Sequence, residues 1–234
     1  MEGLNSVKIL GEGTITGGEY NKVSVVGDAE AIGFFKSNVL KVTGECNIRE
    51  GAEFDTAKIV GEVKSQKKTI INELLEILGE FTAFDECSVK NLKVLGEGIF
   101  RKNLTFDYIN IKGVINVDGD CEGNVIDSEG AINVTGLLTA DRIGISPRGA
   151  CIINEIGCSE LQIRKKPWSF FNKGFVICKS IEADKVILEN TECKIVSGKD
   201  ITILGGCTID KVEYSGTLTV DEDSKVGERI CLKD

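Results

Sequence analysis

Apolar and polar residues alternate along most of this chain in short stretches, and each stretch closes on a glycine. The first reads Val7-Lys8-Ile9-Leu10-Gly11; later copies read Leu40-Lys41-Val42-Thr43-Gly44 and Leu92-Lys93-Val94-Leu95-Gly96. The closing glycines are Gly11, Gly27, Gly44, Gly61, Gly79, Gly96, Gly113 and Gly130, with spacings of 16, 17, 17, 18, 17, 17 and 17. Alternation with period two turns one set of side chains inward and the other to water. The inward set is Val7 and Ile9, Val23 and Val25, Leu40 and Val42, Ala57 and Ile59, Leu75 and Ile77, Leu92 and Val94, and Ile109 and Ile111. The outward set is mainly Lys, Glu, Thr, Asn and Asp. After the glycine, alternation resumes, as at Cys46 and Ile48. The phase returns near the C-terminus at Val186, Ile203 and Val220, again 17 apart.

A unit of 17 residues is too short for a helical hairpin, and it matches one turn of a β-solenoid. One such turn cannot bury its own apolar side; stacked turns bury a continuous column, with glycines at tight corners. The pattern therefore predicts an all-β chain, a single-stranded β-helix. Residues 1–145 form one array, 146–180 an irregular insert, and 181–234 further rungs with a charged tail. One stretch is ambiguous. "TIINELLEILGEF" has apolar residues at 70, 71, 74, 75 and 78, which is helical spacing. The repeat instead aligns Leu75, Ile77, Gly79 and Phe81 with Leu92, Val94, Gly96 and Gly98, and predicts a strand; a short helix capping or bulging from the coil is the alternative.

Charge narrows the partners. A formal net charge of −9 argues against nucleic acid, which wants a basic face. The N-terminus lacks a basic segment followed by an apolar stretch, and no apolar run approaches the roughly 18 residues of a membrane span. The expectation is a cytoplasmic protein. The nine cysteines form no C-x-x-C pair and the chain has no histidine, so the common zinc patterns are missing. Cys46 shares a presumed face with Ile48, Cys87 with Val89, Cys193 with Ile195, and Cys207 with Ile203 and Ile209. These read as reduced core residues, a free thiol being a small hydrophobe.

Candidate chemistry is sparse. Hexapeptide-type solenoid enzymes use histidine, which this chain lacks. Carbohydrate-active solenoids need facing carboxylates. The one concentrated acidic stretch, "VDGDCEGNVIDSEG", supplies Asp118, Asp120, Glu122, Asp127 and Glu129, which alternate with Val117, Gly119 and Cys121 as solvated side chains would. No G-x-x-x-x-G-K-[ST] occurs. The chain is thus expected to be no enzyme and to need no cofactor or metal. The insert "LQIRKKPWSFFNKGFVICKS" (161–180) is different. It carries Arg164, Lys165, Lys166, Trp168, Phe170, Phe171 and Lys173. This basic-aromatic island reads either as a docking site for a protein partner or anionic membrane surface, or as an excursion whose aromatics pack back on the coil.

Two stretches, "INIKGVINVDGDCEGNVIDSEGAINVTGLLTADRIGI" (109–145) and "IEADKVILENTECKIVSGKDITILGGCTIDKVEY" (181–214), resemble the bactofilins, polymer-forming cytoskeletal proteins of bacteria, and most closely the longer Firmicute-type members. The resemblance implies a right-handed, triangular β-helix and self-assembly into filaments without nucleotide, often at the membrane. The physics of a solenoid points the same way. Its terminal rungs leave backbone groups unpaired, and stacking a second copy there continues the ladder. The expected contacts are Val7, Ile9 and Ile15 at one end, and Leu218, Val220 and Val226 at the other. A non-polymerising adaptor that binds through 161–180 is the alternative, and a carbohydrate-active enzyme a more distant one.

Overall fold

The computed structural model describes residues 4–166 and 174–232. Among them there is no helix, and the strand pairings are parallel, between stretches about 17 residues apart. The fold is a β-solenoid, as the pattern requires. It divides into two compact units, Met1–Gly119 and Asp120–Asp234, a boundary that cuts the array expected to run from 1 to 145.

In the first unit, β1 (Asn5–Ile15), β2 (Gly18–Ala31) and β3 (Phe35–Ile48) are long strands that run through corners. Later turns break the same path into β4 (Ala52–Ile59), β5 (Glu62–Ser65), β6 (Thr69–Ile77), β7 (Glu80–Ala83), β8 (Cys87–Val94), β9 (Glu97–Phe100), β10 (Leu104–Ile111) and β11 (Val114–Val117). Ile9, Val25, Val42, Ile59, Ile77, Val94 and Ile111 stack in register as one inward column. Ile9 is 8% exposed and the rest 1% or less. A second column runs through Ile15, Ala31, Ile48, Ser65, Ala83, Phe100 and Val117. Volume is exchanged between neighbouring turns, as a core of near-crystal density needs. Where β7 brings Phe81 and Ala83, β9 brings Gly98 and Phe100; the two rings meet edge to face at 5.9 Å. The buried hydroxyls are satisfied locally: Thr69 Oγ1 lies 2.6 Å from Ser65 Oγ, and Ser65 donates to the Lys67 carbonyl at 3.2 Å.

The glycine column has a steric cause. A β-carbon built on Gly61 would stand 1.9 Å from the carbonyl oxygen of Gly44; on Gly79 it would stand 2.0 Å from that of Gly61, and on Gly96 2.1 Å from that of Gly79. Each turn rests its corner on the backbone of the previous one. Only a residue without Cβ fits, so the spacing recurs with the turn.

The ambiguous 69–78 stretch is strand β6, not helix. Its helical look has a cause. Phe54 pairs with Ile71 but Thr56 with Leu74, so two residues, Asn72 and Glu73, oppose Asp55. This β-bulge accounts for the 18-residue glycine spacing and leaves Leu74 on the outside.

The second unit contains β12 (Cys121–Ser128), β13 (Ala131–Ile145), β14 (Ala150–Ile163), β15 (Phe175–Leu188), β16 (Thr191–Ile203), β17 (Thr208–Tyr214), β18 (Leu218–Val220) and β19 (Lys225–Cys231). Three expectations need correction here. The irregular insert is not 146–180: β14 fills 150–163 and β15 begins at Phe175, so much of that stretch is regular paired strand. The 17-residue phase also fails locally. Val186 pairs with Ile201, not Ile203, because the turn from β15 to β16 takes 15 residues, although Ile203 does pair with Val220. A two-residue slip preserves the face, so all these residues still point inward. Finally, Cys193 is buried but Ile195 is 42% exposed. Ser180, Ile195 and Lys211 form an outward corner column where alternation skips a step and resumes at Val196.

Candidate functional site

The terminal strands come first, since the expected contacts lie there. Among the described residues, β1 pairs along one edge, with β2, while β18 pairs with β16 and β19 with β17. Backbone groups on the remaining edges are available to a further strand. At the β1 end Val7 is half-buried, but Ile9 and Ile15 are already covered at 8% and 1% exposure. Ile9 packs over Gly13, where a β-carbon would come within 2.9 Å of it. The apolar surface offered at this end thus belongs to Val7 and to Leu4, which is 45% exposed and was not anticipated. At the other end Leu218, Val220 and Val226 are all half-buried, as terminal inward residues should be.

The charged tail is part of this last turn. Asp221 N–H donates to Ile203 O at 2.8 Å, Ser224 Oγ to Leu204 O at 2.5 Å, and Lys225 N–H to Cys207 O at 2.8 Å. β19 then places Arg229 in register with Val212, at an inward position. A charge there opposes burial by another rung. The two ends therefore differ: the β1 end presents aliphatic side chains, and the β19 end carries a guanidinium among them.

The basic-aromatic island is only partly visible. Trp168, Phe170, Phe171 and Lys173 lie outside the described residues. Of the cations, Lys166 Nζ sits 2.5 Å from Glu129, and Lys165 donates its backbone N–H to Glu189 at 2.8 Å with its ammonium 3.9 Å away. Arg164 is exposed and donates its N–H to Ile145 O at 3.0 Å. Lys165 and Lys166 are thus held by carboxylates of the coil, which lowers the positive charge these two offer to an anionic surface.

The acidic stretch is built into the coil surface as well. Asp118 pairs with Arg101 at 3.0 Å in the first unit. In the second, Asp120 accepts the Leu137 N–H at 2.9 Å, Asp127 stands 4.0 Å from Arg142, and Glu129 lies 3.3 Å from Arg148; Glu122 is exposed. The geometry is that of links between successive turns. Similar links run elsewhere, such as Glu76 between Lys58 and Lys93, each at 2.7 Å. Hydrogen bonds from both ammoniums hold the Glu76 carboxyl below the usual carboxylate range.

All nine cysteines are free thiols; seven are buried, Cys158 is half-buried and Cys231 exposed. Burial pushes the Cys46 and Cys158 thiols up to about 12, and Cys87 and Cys121 up as well. Such thiols are poor nucleophiles. Cys178 and Cys193 stack in register; their mutual hydrogen bond raises the first and lowers the second.

Two curated relatives share part of this chain. The uncharacterized protein YhbF of Bacillus subtilis (strain 168) is 38% identical over 82 residues, 34% of each chain. The uncharacterized protein YhbE of the same strain is 35% identical over 99 residues, 40% of this chain and 42% of the relative. The chain thus covers between a third and a half of the length of each. No family model matches, and no solved structure does. Among the described residues, no helix is long and apolar enough to cross a membrane.

Proposed function

We propose that this chain is a bactofilin-like scaffold that assembles end to end into filaments without nucleotide. The carrying observation is that, among the described residues, the terminal strands pair along one edge each, with half-buried aliphatic residues at the ends of the inward columns. A second copy stacked there removes two liabilities at once, the open backbone edge and the uncovered core. The driving force is burial and pairing, so no energy source is required. Contact between like ends is isologous, and two such contacts in alternation build an open filament without polarity. The β1 end is the better joint, since Val7 and Leu4 can be buried without stranding a charge. At the β19 end Arg229 needs a partner, and Glu228 beside it in a second copy is a natural one. Work of this kind is structural, not catalytic, and suits a cytoplasmic protein.

Electron microscopy and light scattering of purified protein, with no nucleotide, test the proposal. Filaments or end-linked oligomers are the expected result. Val7→Lys and Val220→Lys should each abolish one joint, because an ammonium buried there would be unpaired. Thr219→Lys, on the outward side of β18, should change little. Wild-type protein that stays monomeric at high concentration would sink end-to-end assembly, and an adaptor role through 161–180 would take its place.

A further inference from the structure

One corner of the first unit carries a feature with no role in end-to-end stacking. The residue before each corner glycine points outward: Leu10, Val26, Thr43, Val60, Leu78 and Leu95 follow one another up successive turns. The five aliphatic members are 66%, 44%, 47%, 40% and 40% exposed, in chain order. At the strand spacing this is an apolar ridge about 24 Å long. A stripe of exposed aliphatic residues broken only by Thr43 is a candidate interaction surface.

The flanks of the ridge differ in sign. Two residues before it stand Lys8, Ser24, Lys41, Lys58, Glu76 and Lys93, in register. Two residues after it stand Glu12, Asp28, Glu45, Glu62, Glu80 and Glu97, also in register. That second column stacks six carboxylates turn on turn, an arrangement that repels itself. Lys64 answers Glu62, Thr82 Oγ1 bonds to Glu80 at 3.2 Å, and Asn116 Nδ2 donates to Glu97 at 2.9 Å. Lys64 also lies near Glu45 and Glu80, but it is a single ammonium beside a column of six carboxylates.

We propose that two copies of this chain pair side by side along this ridge, parallel, about a two-fold axis that runs along the stack. Symmetry selects the orientation. Viewed down the stack, the ridge has lysines on its left and carboxylates on its right, or the reverse. A half-turn about an axis parallel to the stack sets the lysine flank of each copy against the acidic flank of the other. An antiparallel pair would set lysines against lysines and carboxylates against carboxylates. The occupant of the ridge is therefore a second copy of the chain, in one orientation, with ridge residues meeting their own equivalents. Lys8 and Lys41 foremost, since Lys58 and Lys93 already hold Glu76, bring positive charge to the acidic column, and the aliphatic side chains leave water.

Cross-linking of the full chain tests this in a Cys231→Ser background, which removes the exposed native thiol. Leu78 lies in the middle of the stack, out of reach of end contacts. Leu78→Cys should cross-link to itself with a short bis-maleimide, whereas a mixture of Val26→Cys and Leu78→Cys should yield no mixed product. Lys41→Glu with Lys58→Glu, and separately Glu45→Lys with Glu62→Lys, should each lower the Leu78 self-cross-link at least about tenfold. Mixing the two reversed proteins should restore it, since each then meets its complement on both flanks. Val60→Asp with Leu78→Asp should abolish pairing by sedimentation while the circular dichroism spectrum of the folded chain is unchanged, both positions being exposed. Absence of the Leu78 self-cross-link, a Val26–Leu78 product in its place, or failure of the mixture to recover would each overturn the proposal. Val7→Lys and Val220→Lys separate it from end-to-end assembly: they should remove length and keep the Leu78 cross-link.

Discussion

Gly61→Ala asks whether glycine recurs for steric or for conformational reasons. The added methyl would lie 1.9 Å from Gly44 O, 2.6 Å from its N and 2.7 Å from its C, where real β-carbons do not come within 3.0 Å. All three are backbone atoms, so no rotamer change relieves the clash. The turn must lift away from the one before it, at an overpacking cost of about 1–3 kcal/mol. The nearest bonds between turns, Val60 N–H to Val42 O at 2.9 Å and Glu80 N–H to Gly61 O at 2.8 Å, would stretch. Loss of one costs about 1 kcal/mol. Alanine restricts the unfolded chain and returns about 0.4–1 kcal/mol. The net loss is about 1–3.5 kcal/mol, or about 2–14 °C in the melting midpoint of a chain this size. Gly11→Ala is the control. Gly11 has φ of +84° and nothing within 4 Å of its notional β-carbon. It would carry only the left-handed penalty of about 1–2 kcal/mol, less the same entropic return. Urea midpoints of the two variants, with hydrogen exchange at Val60 and Glu80 to localise the loss, decide the matter. If Gly11→Ala is as damaging as Gly61→Ala, close stacking is not the reason for the glycine column.

Two further outcomes follow from particular residues. Deleting Glu73 should turn the 18-residue turn into a regular one and cost about 1 kcal/mol or less, whereas deleting Lys93 should swing Val94 out of the core and prevent folding; circular dichroism and a melt distinguish them. The buried cysteines should make the fold alkali-sensitive. Cys46 ionises near 9 when unfolded and near 12 in place, so the unfolded chain loses its proton first as pH rises. Its contribution is intact below about pH 9 and falls from there towards about pH 12. Cys46→Val should flatten that decline in the urea midpoint, and an unchanged slope would contradict the assignment.

Much of the fold was written in the order of residues. A solenoid turn makes its contacts with the turns before and after it, so the same physical demand falls on every seventeenth residue and leaves a visible period. Alternation assigned Ile9 through Ile111 to one inward column, and the repeat chose strand over helix at 69–78 against the local pattern. The expected end contacts were legible less fully. Leu218, Val220 and Val226 are half-buried terminal residues, but Ile15 is covered, and Leu4 and Arg229 carried no periodic signal that marked them as end residues.

What the tertiary structure decided was lateral register. Whether Val186 meets Ile201 or Ile203 depends on how many residues each corner consumes, and corners obey local geometry, not period. The bulge at Asn72–Glu73, the strand pairing of 150–163 within the expected insert and the exposure of Ile195 are of the same kind. Register also makes surfaces. Glu12, Asp28, Glu45, Glu62, Glu80 and Glu97 are scattered single acids in the sequence, and Leu10 through Leu95 are single apolar residues that alternation alone would send to water. Stacked at the strand spacing they become a charged column and an apolar ridge, because energies between side chains depend on separation in space, which the chain order records only after it is folded.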